Sequence, residues 1–424
     1  MAAYAAGSLG TGVFSTVPTI LLLYFCTEVL SLPAQWATAI VLAPKLWSIV
    51  WDPLVGSWSD RTTSPLGRRR PFLIAGTVGV ALAFIAVFSP PTLDRRLIAW
   101  WMAGAYFALA TLYSLFAVPY IGIPAEIGGT PQERARLVAS RMFIAMIGVL
   151  TGAGVAPLVV QLYGGGRGGY ARMSLWLAAA CMITMSLPLL VLRGRDAPRA
   201  AAATPARLPR SPFHALRNAR FASLGVAYLL QITAVGVVSS AAPYLVTRCF
   251  GRGEGSIGTA MLVMLAATTI TIPAWSLAGR RFGENRMLAC GIASFAALSL
   301  ALGLLASMRA SWTLALGGFA CLGVPFAAMQ VLPFTMVTHL IRAECDHGPS
   351  AEGSYTGVWT GMEKLGLALG PAITGFVLWV FAGPRVSVLA TLMAAAPPLL
   401  AVVSLGFLHV PQRSAPSKTV AWRA

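Results

Sequence analysis

Asp52 sits inside the apolar run Trp47-Ser48-Ile49-Val50-Trp51-Asp52-Pro53-Leu54-Val55-Gly56. An ionisable side chain in such a run costs about 2.5–3.5 kcal/mol on membrane-insertion scales, so it is expected to face a cavity or a partner. It precedes Asp60 by eight residues, roughly 12 Å at the 1.5 Å rise of a helix, which puts it near the middle of a bilayer. A carboxylate at that depth can take up a proton or hold a cation. Lys45, Ser48 and Asp52 fall at i, i+3 and i+7 and so share one helical face, which is expected to line the cavity. Pro53 lacks an amide hydrogen, which frees a carbonyl near residue 49 to serve a cation. The alternative is a structural Asp52 neutralised by a lysine.

Glu363 and Lys364 place an acid and a base side by side in a second apolar run, Trp359-Thr360-Gly361-Met362-Glu363-Lys364-Leu365-Gly366. Adjacent helix positions point about 100° apart, so the two are not expected to pair with each other. Lys364 can instead reach across to Asp52, either as an ion pair that a proton or substrate competes for or as a structural latch. Arg141 follows Gln132-Glu133-Arg134-Ala135-Arg136 and can reach inward as a donor or snorkel outward. Tyr113, Ser114 and Tyr120, interrupted by Pro119 and Pro124, and Gln330 with Thr335 in a later span, suit a hydrogen-bonding pocket; packing is the plainer reading. Asp60, Arg61, Arg68, Arg69 and Arg70 form a charged cluster that could lock and release two halves, or merely set orientation.

These residues need membrane-spanning helices to position them. The chain has 424 residues, 57% hydrophobic and 10% charged, against the quarter charged expected of a soluble protein. Apolar runs long enough to span recur over 5–30, 36–58, 71–90, 97–123, 138–162 and 174–193, and again over 221–247, 256–278, 287–308, 312–341, 356–382 and 386–408. The expected fold is therefore all-α, with twelve transmembrane helices in two pseudo-symmetric six-helix bundles, 1–193 and 221–410. The Arg-, Ala- and Pro-rich linker 194–220 and the tail 411–424 are expected to be cytoplasmic, with an amphipathic turn around Phe213-His214-Ala215-Leu216.

Of the 31 Lys and Arg, 21 fall on the side that carries both termini, which is expected to be cytoplasmic by the positive-inside rule. That rule also accounts for the net charge of +18 without a nucleic-acid partner. The six cysteines are scattered and suggest neither disulfides nor a zinc site. The first apolar stretch reads as a span and not a cleavable leader. No phosphate loop, nucleophile elbow or metal cluster is present in the sequence, so no enzymatic chemistry is expected. The halves also carry a weak repeat, Gly56-Ser57-Trp58-Ser59-Asp60-Arg61 with Gly67-Arg68-Arg69-Arg70 against Gly279-Arg280-Arg281-Phe282-Gly283-Glu284-Asn285-Arg286, the duplication from which many carriers build a central site.

Asp52-Pro53-Leu54-Val55-Gly56, Ser59-Asp60-Arg61 and Gly67-Arg68-Arg69-Arg70-Pro71-Phe72, together with Glu352-Gly353-Ser354-Tyr355-Thr356-Gly357-Val358-Trp359-Thr360 and Glu363-Lys364-Leu365-Gly366-Leu367-Ala368-Leu369-Gly370-Pro371, resemble the major facilitator superfamily. The branch they resemble is the glycoside–pentoside–hexuronide:cation symporters, and the loop around Arg68 is also similar to that of plant sucrose carriers. The resemblance spans essentially the whole chain. It implies an alternating-access carrier with a sugar between the halves and a cation on the second helix. Asp52 then matches a cation-site carboxylate, Ser114 a hydroxyl ligand, Lys364 a lysine near that site and Arg141 a sugar-binding arginine.

This chain departs from that pattern at Ser48, where the family's melibiose carriers have a second cation carboxylate, and at Trp51, where they have an asparagine. Val13 and Ala117 stand where sugar-binding carboxylates are expected, Ile121 and Ala327 where aromatic platforms are. One remaining carboxylate makes a poor sodium cage and an adequate proton carrier, since burial favours its neutral form. The expectation is thus a sugar:proton symporter of the plasma (inner) membrane, monomeric, with no cofactor. Ser48, Ser114 and Lys364 assist Asp52 in coupling; Lys45, Tyr113, Tyr120, Arg141, Gln330 and Glu363 contact substrate. The alternatives are a carrier of a lysolipid or drug, and a non-transporting scaffold or sensor.

Overall fold

The computed structural model describes residues 2–92, 94–124, 130–191, 213–345, 352–381 and 383–408. Twelve helices among them are long and apolar enough to cross a membrane. They are α1 Ala2–Val29, α2 Ala34–Arg61, α3 Arg70–Phe88, α4 Arg95–Ile121, α5 Gln132–Leu162, α6 Gly166–Leu190, α7 Ala219–Cys249, α8 Gly255–Phe282, α9 Glu284–Ser307, α10 Trp312–Leu340, α11 Tyr355–Val380 and α12 Val386–Leu408. Helices satisfy their own backbone polar groups, which a lipid-facing segment requires. Every expected span is present, and the ends that differ have local causes. α5 starts earlier because Thr130 and Glu133 form a capping box that makes the polar run helical. α6 starts at Gly166, in a glycine-rich stretch that reads as a loop in the sequence. Most of the linker and all of the tail lie outside the described residues. The expected turn is present over Phe213–Leu216, and Asn218 then caps α7 by accepting from the amides of Arg220 and Phe221.

Helix packing repeats with a period of six. α1 packs on α5 and α6 as α7 does on α11 and α12; α3–α4, α2–α4 and α3–α6 recur as α9–α10, α8–α10 and α9–α12. Between the halves the pairing is again two-fold, α1 with α7, α2 with α11 and α5 with α8. The symmetry reaches individual residues. α1 ends in the π-helical turn Phe25–Val29 and α7 in the π-helical turn Leu245–Cys249, so Tyr24, Thr27 and Glu28 correspond to Tyr244, Thr247 and Arg248.

Those corresponding residues meet at the face opposite the termini. The Tyr24 and Tyr244 rings are 5.2 Å apart, the Thr27 and Tyr244 hydroxyls share a 2.6 Å hydrogen bond, and Glu28 pairs with Arg248. Close to that face α5 and α8 touch backbone to backbone, and a Cβ on Gly258 would collide with the Gly154 carbonyl oxygen. Below them, Thr38 of α2 packs on Gly375 of α11. Among the described residues, the contacts between the halves run from this face down to mid-depth, with space between the bundles on the side of the termini.

Candidate functional site

The deepest of those contacts is at Asp52. Ser114 of α4 donates to one of its carboxylate oxygens at 2.5 Å, and Lys364 of α11 pairs with the other. The Asp52 side chain is 19% exposed, enough for a water-borne ion to reach it. Its two partners come from different halves, so the carboxylate is where the bundles are tied at mid-membrane. Trp47 and Trp51 flank it, their indole nitrogens donating to the Thr111 hydroxyl at 3.2 Å and the Thr111 carbonyl at 3.1 Å, which fixes α2 against α4. Ser48 hydrogen-bonds its own helix, donating to the Pro44 carbonyl at 3.0 Å.

Lys45 lies one and a half to two turns away on the same face. Its ammonium donates to the Leu367 carbonyl at 3.0 Å and is 3.5 Å from the Thr19 hydroxyl. That carbonyl is available for a chemical reason: in α11 its helical donor would be the amide of residue 371, which is Pro371. Lysines on α2 and α11 thus each reach across the interface to the other helix.

The face of α1 turned to the space between the halves carries Thr11, Ser15 and Thr19, at i, i+4 and i+8. α1 is otherwise largely buried, yet Ser15 is exposed and its two companions partly so. Each hydroxyl donates to the backbone of its own helix, at 3.0, 3.0 and 2.8 Å, and keeps its lone pairs free to accept. The sequence analysis missed this ladder because hydroxyls at helical spacing are common in membrane spans; periodicity alone does not separate a cavity face from a packed one. It likewise missed Gln231, fully buried on α7 with both amide atoms unpartnered, and the neighbouring unpartnered Tyr228 hydroxyl and Trp359 indole nitrogen, whose rings stack at 4.3 Å.

Several expected site residues sit elsewhere. Tyr120 is 1% exposed; its hydroxyl bonds Ser8 at 2.8 Å and donates to the Tyr4 carbonyl, so in this conformation it cements α4 to α1 instead of facing a solute. Tyr113 is half-buried and donates to the Thr11 carbonyl at 3.3 Å, beside the hydroxyl ladder. Arg141 is half-buried in the third turn of α5, within electrostatic reach of Tyr4, Tyr113 and Tyr120. Gln330 is half-buried on α10, and Glu363 is half-buried on α11, within electrostatic reach of Tyr228. Val13 and Ala327, expected at substrate-facing positions, are fully buried, because on α1 it is the Thr11–Ser15–Thr19 face that meets the open space.

Asp60 pairs with Arg68 at 3.8 Å and Arg69 at 3.7 Å, and Arg69 donates to the Pro119 carbonyl at 2.8 Å, capping the end of α4. These described contacts stay within the amino-terminal half, because the short α2–α3 connection folds the arginines back over the ends of α2 and α4. Arg61 is exposed and Arg70 half-buried at the start of α3. At the same face of the other half, a cleft of about 610 Å³ lies between α7, α10 and α12, where His339 approaches Glu284 at 3.5 Å.

Two six-helix bundles, related two-fold, joined at one face and tied at mid-depth through an ionisable pair, define a membrane transporter of the major facilitator fold. Solved structures of that fold match nearly end to end. A bacterial homologue of the human lysosomal transporter Spinster, inward-facing and unoccupied, superposes with a TM-score of 0.70 at 14% identity, covering 96% of this chain and 93% of that one. A point mutant of the nucleoside transporter NupG gives 0.70 at 15% identity, covering 96% and 98%.

The chain belongs to the family described as MFS/sugar transport protein, matched over residues 3–412. Among its relatives, the putative glycoside/cation symporter YagG of Escherichia coli (strain K12) is 31% identical over 38% of this chain and 35% of that protein, so the match spans about a third of that relative. The sphingosine-1-phosphate transporter MFSD2B of Mus musculus is 26% identical over 85% of this chain and 76% of that protein.

Proposed function

We propose that the protein is a cation-coupled secondary transporter that carries a small hydroxylated solute, a glycoside, by alternating access, with Asp52 as the coupling group. The observation that carries this is the double engagement of Asp52 by Ser114 and Lys364 from opposite halves. Ionised, Asp52 neutralises Lys364, so the empty carrier holds a balanced pair at mid-membrane. Protonated, it releases the ammonium, because a neutral carboxyl attracts a cation far less. Loading the ion therefore changes the tie between the bundles, which is what coupling requires.

One carboxylate with one hydroxyl supplies too few oxygens to strip sodium of its water, so a proton is the favoured ion. The solute is read at the Thr11–Ser15–Thr19 ladder with Tyr113, Arg141 and Gln330. The arginine-rich face with both termini is read as cytoplasmic by the positive-inside rule, in the inner (plasma) membrane of a monomer. On that reading the described conformation is inward-open.

A second reading, a lysolipid carrier, is favoured by the near full-length similarity to a sphingosine-1-phosphate transporter. Purified protein in liposomes, offered labelled glycosides and lysophospholipids under imposed proton or sodium gradients, tests both. Proton-driven glycoside accumulation is expected. Accumulation of lysolipid alone supports the second reading, and no gradient-driven uptake of either class refutes both.

A further inference from the structure

Lys45 is a half-buried cation within α2 that pairs with no described carboxylate. Asp52, on the same helix face, is engaged by Lys364. Glu363 on α11 lies within electrostatic reach of Tyr228. The groups that do meet Lys45 are neutral, the Leu367 carbonyl and the Thr19 hydroxyl. A carbonyl dipole orients an ammonium but leaves its charge uncompensated, which a low-dielectric interior penalises.

Position makes this cation useful. Leu367 is one helical turn from Lys364 along α11, and Lys45 is about two turns from Asp52 along α2, so both ammonium groups lie at the same α2–α11 interface. Lys45 also stands at the end of the Thr11–Ser15–Thr19 ladder, whose other end is near Tyr113 and Arg141. A solute lying along α1 would thus have its hydroxyls against the ladder and one end against Lys45.

We infer that Lys45 is the anion-binding group of the solute site, and that the transported molecule carries one carboxylate or phosphate together with hydroxyl groups. This rests on the carrier reading above and narrows its substrate class. It also gives coupling a charge logic. When Asp52 takes up a proton it frees Lys364, leaving two ammonium groups at the α2–α11 interface without a counter-ion. A solute anion seated between them restores the balance, so anion and proton load together and neither alone is well accommodated. With Asp52 ionised the anion must compete with its carboxylate for Lys364. Besides Asp52 and Lys364, the groups that bear on this balance are Glu363 on α11 and Arg141 on α5.

The test compares matched solutes that differ by one charge on purified protein in phosphatidylcholine nanodiscs: a nitrophenyl glucuronide against the corresponding glucoside, and a lysophosphatidate against the corresponding monoacylglycerol. The charged member of at least one pair is expected to bind tenfold or more tighter, and the pair that responds tells whether the anion is a sugar acid or a lipid phosphate. Lys45→Gln, which keeps a donor for the Leu367 carbonyl and loses the charge, should abolish that preference; Lys45→Arg should retain it. Equal binding within both pairs, no binding by any of the four, or a preference that survives Lys45→Gln overturns the inference. Proton-driven uptake of an uncharged glycoside would overturn it while leaving the carrier reading intact. A Lys45-dependent anion preference without gradient-driven uptake would do the reverse.

Discussion

The Lys45 ammonium donates across the interface to the Leu367 carbonyl at 3.0 Å, the carbonyl that Pro371 leaves without a helical amide. One turn along α11, Lys364 reaches the opposite way and pairs with Asp52 on α2. The helices are therefore cross-laced, each supplying a lysine to the other. Of the two links only the Asp52–Lys364 one contains a group that can lose its charge on binding a proton.

Asp52→Asn is expected to lower gradient-driven uptake tenfold or more while leaving the protein folded. Normal accumulation by that variant in liposomes would remove Asp52 from the coupling role. Breaking one side of the pair leaves a partly buried charge alone, so Asp52→Asn and Lys364→Gln should each lower the melting temperature, and the double variant should recover part of the loss. A double variant that recovers uptake as well as stability would mark the pair as a structural latch.

The Glu28–Arg248 pair locks the face opposite the termini, but the Arg248 side chain is 54% exposed, so the lock is worth about 0.5–1 kcal/mol. Arg248→Glu should shift the population away from the described conformation by roughly two- to fivefold or more, since like charges then face each other. Exchanging both residues, Glu28→Arg with Arg248→Glu, should restore it. Spin-label distances across that face measure the shift.

Glu254 spans the same face. Burial raises its carboxyl above the usual carboxylate range, and a hydrogen bond from the Gly166 amide opposes that only in part. One of its oxygens is buried without a partner, and Tyr24, Glu28, Arg167 and Arg248 line the same cavity, with Tyr170 nearby. A group whose proton affinity is raised in one conformation favours that conformation at low pH. The closed face should therefore be fully favoured below the ordinary glutamate value of about 4.3 and lose this support as pH rises through the raised value. Glu254→Gln should keep the face closed at all pH values, and an unchanged pH profile of the same spin-label distances would refute the role.

Arg69 caps the end of α4. Arg69→Ala removes the donor from the Pro119 carbonyl and the pairing with Asp60, and should cost about 1–3 kcal/mol of stability. The readout is a lower melting temperature with solute affinity unchanged among the molecules that remain folded.

Much was legible in the sequence because a membrane imposes simple rules. Spans declare themselves by length and apolarity, and a charge inside one declares itself by its cost, so Asp52 and Lys364 stood out without any neighbours. Their pairing was legible as a possibility, because few partners exist at that depth. What the sequence did not determine is which face of each helix meets which. Tyr113 and Tyr120 look equivalent in the sequence, yet one borders the hydroxyl ladder and the other is sealed against α1. Arg69 reads as a gate or an orientation charge, and its contact with the Pro119 carbonyl at the end of α4 was not legible. Lys45 reads as a cavity residue, and only the packing of α2 on α11 reveals that a proline-freed carbonyl, and no acid, is what it meets. The reason is that lipid-facing, packed and cavity-lining positions can all be apolar or weakly polar, and rotation about a helix axis is decided by contacts between helices far apart in the chain.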